Sequence, residues 1–285
     1  MKTLPLRGRH CAAGILVLLV ATSVRPCSAQ AAPPFPHITA RPHYLIGIAL
    51  DRLGRPLKGV DVTVQGTTIR AGEVTNLTIT SGSDGRFKLP LPDGVYAVAG
   101  AYYRLTYHGL RYVIKLAPQD GPSPVHFSSD DGCVQNFYVK LSGQIDPSFD
   151  KLHYGGEVKG DALELQKALA SAIPKVEVTF TFTPVGPLVD GSPGSTIARR
   201  VTIDTRNAFQ RFFTLTDVPV GAYRLSAAIV LPDGRNIVLA VSPDPNTNGA
   251  QAAGPDSSGA TILFRPAEGG IEGTRPVIVR IAPAQ

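Results

Sequence analysis

The stretch between residues 47 and 96 constrains the fold more than any other part of the chain. Large apolar residues recur at alternate positions from Ile46 to Leu50 and again from Val60 to Val64. Alternate residues share one face of a β-strand, so each run indicates a strand with one buried face. Strands this short and this closely spaced predict an antiparallel β-sandwich with almost no room for helix. Turns rich in Gly and Pro separate the runs, at residues 53–56, 84–85 and 92–94.

Three motifs in this stretch match those of a known family. They read G-x-x-x-D-x-x-G-x-P-L-x-G-V-x-V-x-V, D-G-x-F-x-L and P-D-G-x-Y, and they occupy residues 47–64, 84–89 and 92–96. In this order they resemble the carboxypeptidase regulatory-like domain of bacterial secreted proteins, which implies a transthyretin-like (prealbumin-like) β-sandwich. Members of that family are accessory modules without catalytic residues of their own. The resemblance therefore implies a fold and names no ligand.

The second half of the chain repeats the pattern of the first. Three elements recur in the same order: a strand, a segment that runs from a Phe to a Tyr, and a turn Gly that stands nine positions before a Pro. In the first half they occupy residues 60–64, 87–96 and 109–118, and in the second half residues 176–183, 213–223 and 234–243. Two diverged copies of one sandwich explain this order. The second copy has no obvious counterpart of the first strand, so it is either incomplete or completed by a strand from residues 143–158.

The predicted fold class is all-β, with two tandem prealbumin-like (Ig-like) antiparallel β-sandwiches and one short linking α-helix. The helix is indicated at residues 161–173, where Asp161 can cap it, apolar residues recur at near-helical spacing and Pro174 ends it. The predicted organisation is a signal peptide at 1–29, a Pro-rich leader at 30–43, a carboxypeptidase regulatory-like sandwich at 44–142, a linker at 143–174 and a second, diverged sandwich at 175–285.

Residues 1–29 have the composition of a secretory signal peptide. Basic residues precede an apolar run that is too short to span a membrane, and small residues before Gln30 offer a cleavage site. A lipoprotein would need Cys27 as its acylated first residue, but Arg25 and Pro26 stand where small and apolar residues are required. Removal of this segment, which holds four Lys or Arg and no acid, lowers the formal net charge from +6 to +2. We therefore expect an exported, periplasmic or extracellular protein with no transmembrane segment and no nucleic-acid partner.

The sequence contains no recognisable catalytic pattern. Intradiol ring-cleaving dioxygenases share this general fold and hold iron with two Tyr and two His, the latter close together, whereas no His-x-His occurs here. A transthyretin-related hydrolase would end in Tyr-Arg-Gly-Ser, and residues 282–285 read Ala-Pro-Ala-Gln. Cys133, the one cysteine left after signal removal, has no adjacent basic residue that would favour a thiolate. We expect a protein that is not an enzyme and needs no cofactor, and a metal-dependent, dioxygenase-like enzyme is the distant alternative.

A tyrosine-rich segment is the first candidate binding site. Its candidate ligand-binding residues are Tyr103, Tyr107, His108, Arg111 and Tyr112. On a strand Tyr103 and Tyr107 share a face, and a turn at His108 brings Tyr112 alongside. Flat rings with polar tips and flanking arginines are suited to a sugar or a peptide. The same pattern also arises when one face fills the core and the other is an amphipathic sheet surface.

The second candidate is a structural calcium site. Asp244, Asn246 and Asn248 precede a glycine at the alternate positions of a calcium loop, and Asp256 could close the site. The bidentate Glu expected at the twelfth position is missing, with Pro255 in its place. A loop rich in Pro, Asn and Gly has this composition without a metal too.

Together these features predict a noncatalytic exported binding or structural module of the cell envelope or extracellular space. Its expected partners are other envelope or extracellular proteins or glycans. The alternative is a carbohydrate- or peptide-binding protein that uses the face between Tyr102 and Tyr112. Edge strands of open sandwiches can pair with other chains, which would permit assembly.

Overall fold

The protein is almost entirely β-structure. A computed structural model describes residues 32–68, 73–121, 126–231, 234–244, 259–270 and 273–284. Within these residues the chain forms eighteen strands, one α-helix and two short 3-10 helices, at Ala208–Arg211 and Glu268–Gly270. The prediction of an all-β fold with one short α-helix is confirmed. The predicted signal peptide at residues 1–29 lies outside the described residues.

Sandwich one consists of two sheets formed by the first half of the chain. Its strands are β1 (Tyr44–Leu50), β2 (Val60–Thr68), β3 (Val74–Thr80), β4 (Arg86–Pro90), β5 (Gly94–Tyr107), β6 (Leu110–Lys115), β7 (Ala117–Pro118), β8 (His126–Ser128), β9 (Cys133–Val134) and β10 (Phe137–Tyr138). One sheet has the order β4-β1-β10-β7, with β9 also paired to β1, and the other has the order β3-β2-β5-β6, with β8 also paired to β5. Alternate side chains such as Val60, Val62 and Val64 are fully buried, as the period of two requires.

Sandwich two has a single hydrogen-bonded sheet that folds over itself. Its strands are β11 (Gly156–Asp161), β12 (Lys175–Pro184), β13 (Ile197–Asp204), β14 (Phe212–Val218), β15 (Ala222–Val230), β16 (Asn236–Pro243), β17 (Ala260–Leu263) and β18 (Val277–Pro283). The order is β13-β12-β15-β16-β18-β11-β14, with β17 also paired to β15. Phe180 of β12 and Phe213 of β14 meet with their ring centroids 4.8 Å apart. The two ends of the sheet therefore face each other as the two layers of a sandwich.

The two sandwiches have the same strand plan. β1 runs parallel to β9 and β10 and antiparallel to β4, and β11 runs parallel to β18 and antiparallel to β14. The strand after the long hairpin changes sheets in both copies. In sandwich one β6 pairs with β5 before β7 pairs with β10, and in sandwich two the first half of β16 pairs with β15 before its second half pairs with β18. This shared path explains the equal Gly-to-Pro spacing in the two halves.

The first strand of sandwich two lies in the segment that the sequence predicts to be a linker. β11 completes the second copy, so residues 143–174 hold a strand of the sandwich as well as a helix. Helix α1 spans Leu163–Leu169 rather than 161–173, because Asp161 still belongs to β11 and the residues after Leu169 form turns. Asp161 Oδ1 nevertheless accepts a hydrogen bond from the Leu163 N–H (2.9 Å), close to its predicted capping role. In the described ranges no helix is long and apolar enough to cross a membrane.

A glycine beneath a phenylalanine ring occurs at the same place in both copies. Gly47 of β1 is paired with Phe87 of β4, and Gly160 of β11 is paired with Phe213 of β14. A side chain at either glycine would clash with the ring of its partner. The phenylalanine of the neighbouring strand therefore fills the core where the glycine has no side chain.

The Pro-rich leader packs on sandwich one. Its described part, residues 32–43, forms no strand. Pro33 is buried, and the ring of Phe35 meets the ring of Tyr138 edge-on at 6.3 Å. The leader is therefore part of the surface of sandwich one.

Candidate functional site

The tyrosine-rich hairpin between β5 and β6 lies at the contact between the two sandwiches. Tyr107 ends β5, and its hydroxyl donates a hydrogen bond to the Pro187 carbonyl oxygen (2.8 Å) and accepts one from the Ala222 N–H (3.1 Å). Tyr112 lies on β6, and its hydroxyl donates to the Phe264 carbonyl oxygen (2.7 Å). Both phenols thus join sandwich one to the main chain of sandwich two. We call these two tyrosines and their three partners the tyrosine interface.

Burial sets the chemistry of the tyrosine interface. Tyr112 is 1% exposed, and burial raises its pKa to about 12, with the Tyr107 phenol acting in the same direction and Arg265 opposing it. Burial also raises the pKa of Tyr107, against the hydrogen bond from Ala222. The two rings meet edge-on with centroids 5.9 Å apart. Both hydroxyls therefore remain protonated donors at neutral pH.

Further contacts between the sandwiches surround the tyrosine interface. Additional hydrogen bonds join Arg52 Nη1 to Ser192 Oγ (2.8 Å) and the Gly273 N–H to the Val113 carbonyl oxygen (3.2 Å). The Gly143 N–H, in the segment that follows sandwich one, donates to Asp217 Oδ1 (2.6 Å). The buried apolar side chains of both sandwiches also belong to one continuous cluster. The contact therefore combines directional polar bonds with apolar packing.

The structure corrects the expectation of an open tyrosine face for two of its five residues. Sandwich two covers Tyr112, and it engages the hydroxyl of Tyr107 on both its donor and acceptor sides. His108 lies at the hairpin tip with a φ of 48°, and its ring meets Tyr107 edge-on at 4.4 Å. Tyr103 is half-buried against the core, and Arg111 is exposed. Ligand binding by Tyr103, His108 and Arg111 stays a prediction.

A cleft of about 510 Å³ opens on sandwich one near the place where the chain passes from β6 to β7. Its apolar lining includes Leu116, Phe137 and Ile145, and its polar lining includes Tyr102, Lys115 and Tyr154. The lining therefore combines apolar and polar side chains in similar measure. These residues come from separate strands and from the segment before β11, so no local sequence pattern indicates them. Tyr102 alone was recognisable, as a member of the tyrosine-rich segment.

The predicted calcium loop is only partly within the described residues. Asn246, Asn248 and Asp256 lie outside them. Asp244 follows β16, and its Oδ2 accepts a hydrogen bond from Arg280 Nη2 (3.2 Å). A cation at Asp244 would compete with this guanidinium. Calcium binding by this loop stays a prediction.

In the described part of the chain one group of potential metal ligands comes together, beside the start of β1. His43, Asp93 and Asp130 are all exposed and lie close enough to share an ion. His43 Nδ1 is 3.5 Å from Asp93 Oδ1, and His43 Nε2 is 3.9 Å from Asp130 Oδ1. Exposed groups form ion pairs of this kind without a metal, and such pairs are weak. The group therefore defines an acidic patch on the surface.

Cys133 is a packing residue of sandwich one. It is buried, and burial raises the pKa of its thiol to about 11, with the charge of Asp120 adding to the effect. A thiol that stays protonated is a poor nucleophile. This environment gives the cysteine no reactive character.

Comparisons with known proteins identify no family. No protein-family model matches the chain, and no curated protein matches its sequence. The resemblance of residues 47–96 to the carboxypeptidase regulatory-like domain therefore has no family model behind it, and the structure establishes the sandwich alone.

Three solved structures are similar to parts of the molecule. They are the Bacillus anthracis TIE protein (13% identity, 84% of this chain and 34% of that chain, TM-score 0.30), a streptococcal ancillary pilin (10%, 82% and 61%, 0.23) and a mutant of the shaft pilin SpaA of Lactobacillus rhamnosus GG (13%, 85% and 98%, 0.23). This chain spans about a third of the first protein and less than two thirds of the second. Likenesses this remote carry no functional assignment.

Proposed function

We propose that the protein is a noncatalytic structural module of the cell envelope or extracellular space, in which the two sandwiches act as one mechanical unit. The tyrosine interface is the observation that carries this proposal. Two phenols of one sandwich are bonded to the main chain of the other, where a partner atom cannot move away by rotating a side chain. Domains of one chain move relative to each other by default unless their interface is large or apolar. Directional bonds within an apolar contact oppose such motion.

Export of the chain rests on its sequence. The basic, apolar and small-residue parts of residues 1–29 support secretion, and the proposed partners are other envelope or extracellular proteins or glycans. Fractionation of cells that express the whole chain tests this step. We expect the exported product to begin at Gln30, and an uncleaved chain retained in the cytoplasm would contradict the proposal.

The mechanical unit can be tested by ¹⁵N relaxation of the chain without residues 1–29. We expect the two sandwiches to share one rotational correlation time. In a Tyr107→Phe, Tyr112→Phe double variant, which keeps both rings and removes both hydroxyls, the two sandwiches should tumble more independently. Tyr103→Phe is the matched control, because Tyr103 lies on the same hairpin and should leave the shared tumbling unchanged. Independent tumbling of the wild-type sandwiches would overturn the proposal.

The cleft on sandwich one favours a second candidate function, the binding of a glycan or peptide. Tyr154 provides an aromatic surface at the cleft, and Tyr102 provides a second one. Ligand-observed NMR with soluble cell-wall fragments tests this candidate. We expect Tyr154→Ala to abolish binding and Tyr103→Ala, outside the cleft lining, to preserve it. Loss of binding in Tyr103→Ala alone would instead favour the strand face predicted from the sequence.

A further inference from the structure

The contact between the two sandwiches joins unlike ends. Sandwich one contributes the end that carries the turn after β1 and the β5–β6 hairpin, with Arg52 and Tyr107. We call this the hairpin end. Sandwich two contributes its opposite end, where β12 finishes and β15 begins after the segment Pro219-Val-Gly-Ala-Tyr223. We call this the corner end, because the Tyr223 hydroxyl bonds back to the Pro219 carbonyl oxygen (2.8 Å).

Because the two sandwiches share one strand plan, each has both ends, and among the described residues one of each kind is not covered by the other sandwich. The uncovered corner end belongs to sandwich one and contains the equivalent segment Pro92-Asp-Gly-Val-Tyr96. The uncovered hairpin end belongs to sandwich two and lies where β13 and β15 finish and β14 begins. Helix α1 packs over part of this hairpin end, where Leu165 is fully buried and Gln166 Nε2 donates to the Asp204 carbonyl oxygen (2.7 Å). The rest of the hairpin end of sandwich two, and the corner end of sandwich one, lie at separate places on the surface.

Apolar side chains are exposed at both uncovered ends. At the hairpin end of sandwich two Phe209 is 91% exposed, and Phe212 and Val230 are also largely exposed. At the corner end of sandwich one Val95 is 56% exposed. Ala222, which holds the position of Val95 in sandwich two, is only 5% exposed because Tyr107 covers it. The internal contact thus shows that the residue at this position is buried when a corner end is covered.

The two uncovered ends also differ in charge. Arg206 is exposed, three residues before Phe209 in the chain. Arg211 lies over the Phe212 ring at 4.5 Å, and its Nε is 3.6 Å from Asp161 Oδ1. The corner end of sandwich one presents the carboxylates of Asp93, Asp130 and Asp131, which are all exposed, with His43 between the first two. Among the described residues near this end, Arg41 and Lys88 are both held over the Tyr44 ring. An end with two arginines and two exposed phenylalanines therefore complements an acidic end with the exposed Val95.

We propose that the protein associates with further copies of itself, the hairpin end of sandwich two docking on the corner end of sandwich one of the next copy. Phe209 and Phe212 cover Val95, and Arg206 faces Asp93 and Asp130. The two surfaces are different, so the contact is heterologous and leaves a free end at each step, which permits chains of copies. The inference rests on the proposed structural role, and it adds a second copy of the same chain as the partner.

Sedimentation velocity of the chain without residues 1–29, over a wide concentration range, tests the association. We expect the wild type to form species larger than dimers as concentration rises. Phe209→Asp blocks the hairpin end and Asp93→Lys with Asp130→Lys blocks the corner end, and each should weaken association at least about tenfold, or about 1.4 kcal/mol. These positions are exposed, so the substitutions leave the fold intact. Phe149→Asp, at a residue 58% exposed between the sandwiches, is the control and should behave as the wild type.

Mixing the two blocked variants gives the sharpest result. Each retains one good end, so the mixture should form dimers and stop there, because no free matching ends remain. A wild type that is monomeric at all concentrations would overturn the proposal, yet would leave the shared tumbling of the two sandwiches untouched. Dimers in each blocked variant alone would mean that like ends pair, which overturns the proposal. Equal loss in Phe209→Asp and Phe149→Asp would mean unspecific association, which overturns it as well. A monomer that binds lipid vesicles through Phe209 would assign this end to a membrane surface instead.

Discussion

The two sandwiches share one strand plan but differ in how continuous their strands are. In sandwich two β16 and β18 run unbroken and join both layers into one hydrogen-bonded sheet. In sandwich one the same positions are divided into β6 and β7 and into β9 and β10. At the break between β9 and β10 the Asn136 side chain supplies hydrogen bonds in place of the main chain. Its Oδ1 accepts a hydrogen bond from the Ile48 N–H (3.0 Å), and its Nδ2 donates one to Gln119 Oε1 (2.7 Å).

This difference locates the cleft. Leu116 lies in the gap between β6 and β7 and Phe137 begins β10, and both line the cleft of sandwich one. The unbroken strands of sandwich two hold the corresponding layers together. The comparison therefore associates the cleft of sandwich one with the positions where its strands are divided.

The glycine beneath the phenylalanine ring gives the largest expected effect that separates the copies. In Gly47→Ala the new methyl group would meet the backbone carbonyl of Gln135 as well as the Phe87 ring, and the Gln135 N–H is bonded to the Ile46 carbonyl oxygen (3.0 Å). We expect a loss of about 3 kcal/mol in the free energy of unfolding, because backbone cannot yield as a side chain can.

The matched variant is Gly160→Ala, whose methyl group would meet only the Phe213 ring among its nearest neighbours. A ring can tilt, so we expect a smaller loss of about 2 kcal/mol. Urea denaturation of both variants measures the difference. If Gly160→Ala were the more damaging change, the backbone at Gln135, between β9 and β10, would yield more easily than the Phe213 ring.

The hydroxyl of Tyr112 should matter more than that of Tyr107. Tyr112→Phe leaves the Phe264 carbonyl without this donor in a buried site, and we expect a loss of about 2 kcal/mol. Tyr107→Phe removes a hydroxyl that water can partly replace, and about 1 kcal/mol should be lost. Urea denaturation again gives the values. Equal losses would mean that the burial of Tyr112 does not set the strength of its bond.

Alkaline pH should weaken the contact through the same residue. The pKa of Tyr112 is about 12 in the folded protein against 10.0 for a free phenol. The folded state therefore holds this proton more tightly than the unfolded state, and its contribution is complete below about pH 10 and lost as the pH rises towards 12. One such group changes the free energy of unfolding by about 1.4 kcal/mol per pH unit in this window. Urea midpoints between pH 9 and pH 11.5 should fall less steeply in Tyr112→Phe, and parallel slopes would refute the assignment.

The sequence predicted the plan of the molecule because that plan depends on turns and on period-two alternation. The Gly-to-Pro spacing from Gly109 and from Gly234 was readable because a strand that changes sheets needs the same length in both copies. β11 was not readable, because Gly156 and Gly160 leave its core face to be filled by Phe264 and Phe213. Its run GEVKGD has one large apolar residue, and so it lacks the alternation that marks the other strands.

The burial of Tyr112 between the sandwiches and the position of the cleft cannot be predicted from local sequence patterns, for a different reason. Alternation indicates which face of a strand is buried, but it does not distinguish a face covered by another sandwich from one open to a ligand. The sequence around Tyr112 is therefore the same for a residue at a contact between sandwiches and for a residue at an open ligand site. Lys115 and Tyr154 both line the cleft, and their spacing of 39 positions in the chain carries no sign of this.

The smallest expected effect is the most direct test of the equivalence of the copies. The Tyr96 hydroxyl donates to the Pro92 carbonyl oxygen as the Tyr223 hydroxyl donates to that of Pro219, both at 2.8 Å, and both rings are buried. We expect Tyr96→Phe and Tyr223→Phe each to lower the free energy of unfolding by about 1 kcal/mol, and the double variant to lose the sum, because distant sites add. Urea denaturation of the three variants measures this. If Tyr223→Phe proved clearly more damaging, the neighbouring bond from Ala222 to Tyr107 would be coupled to that corner, and a corner covered by another sandwich would differ in energy from one that is uncovered.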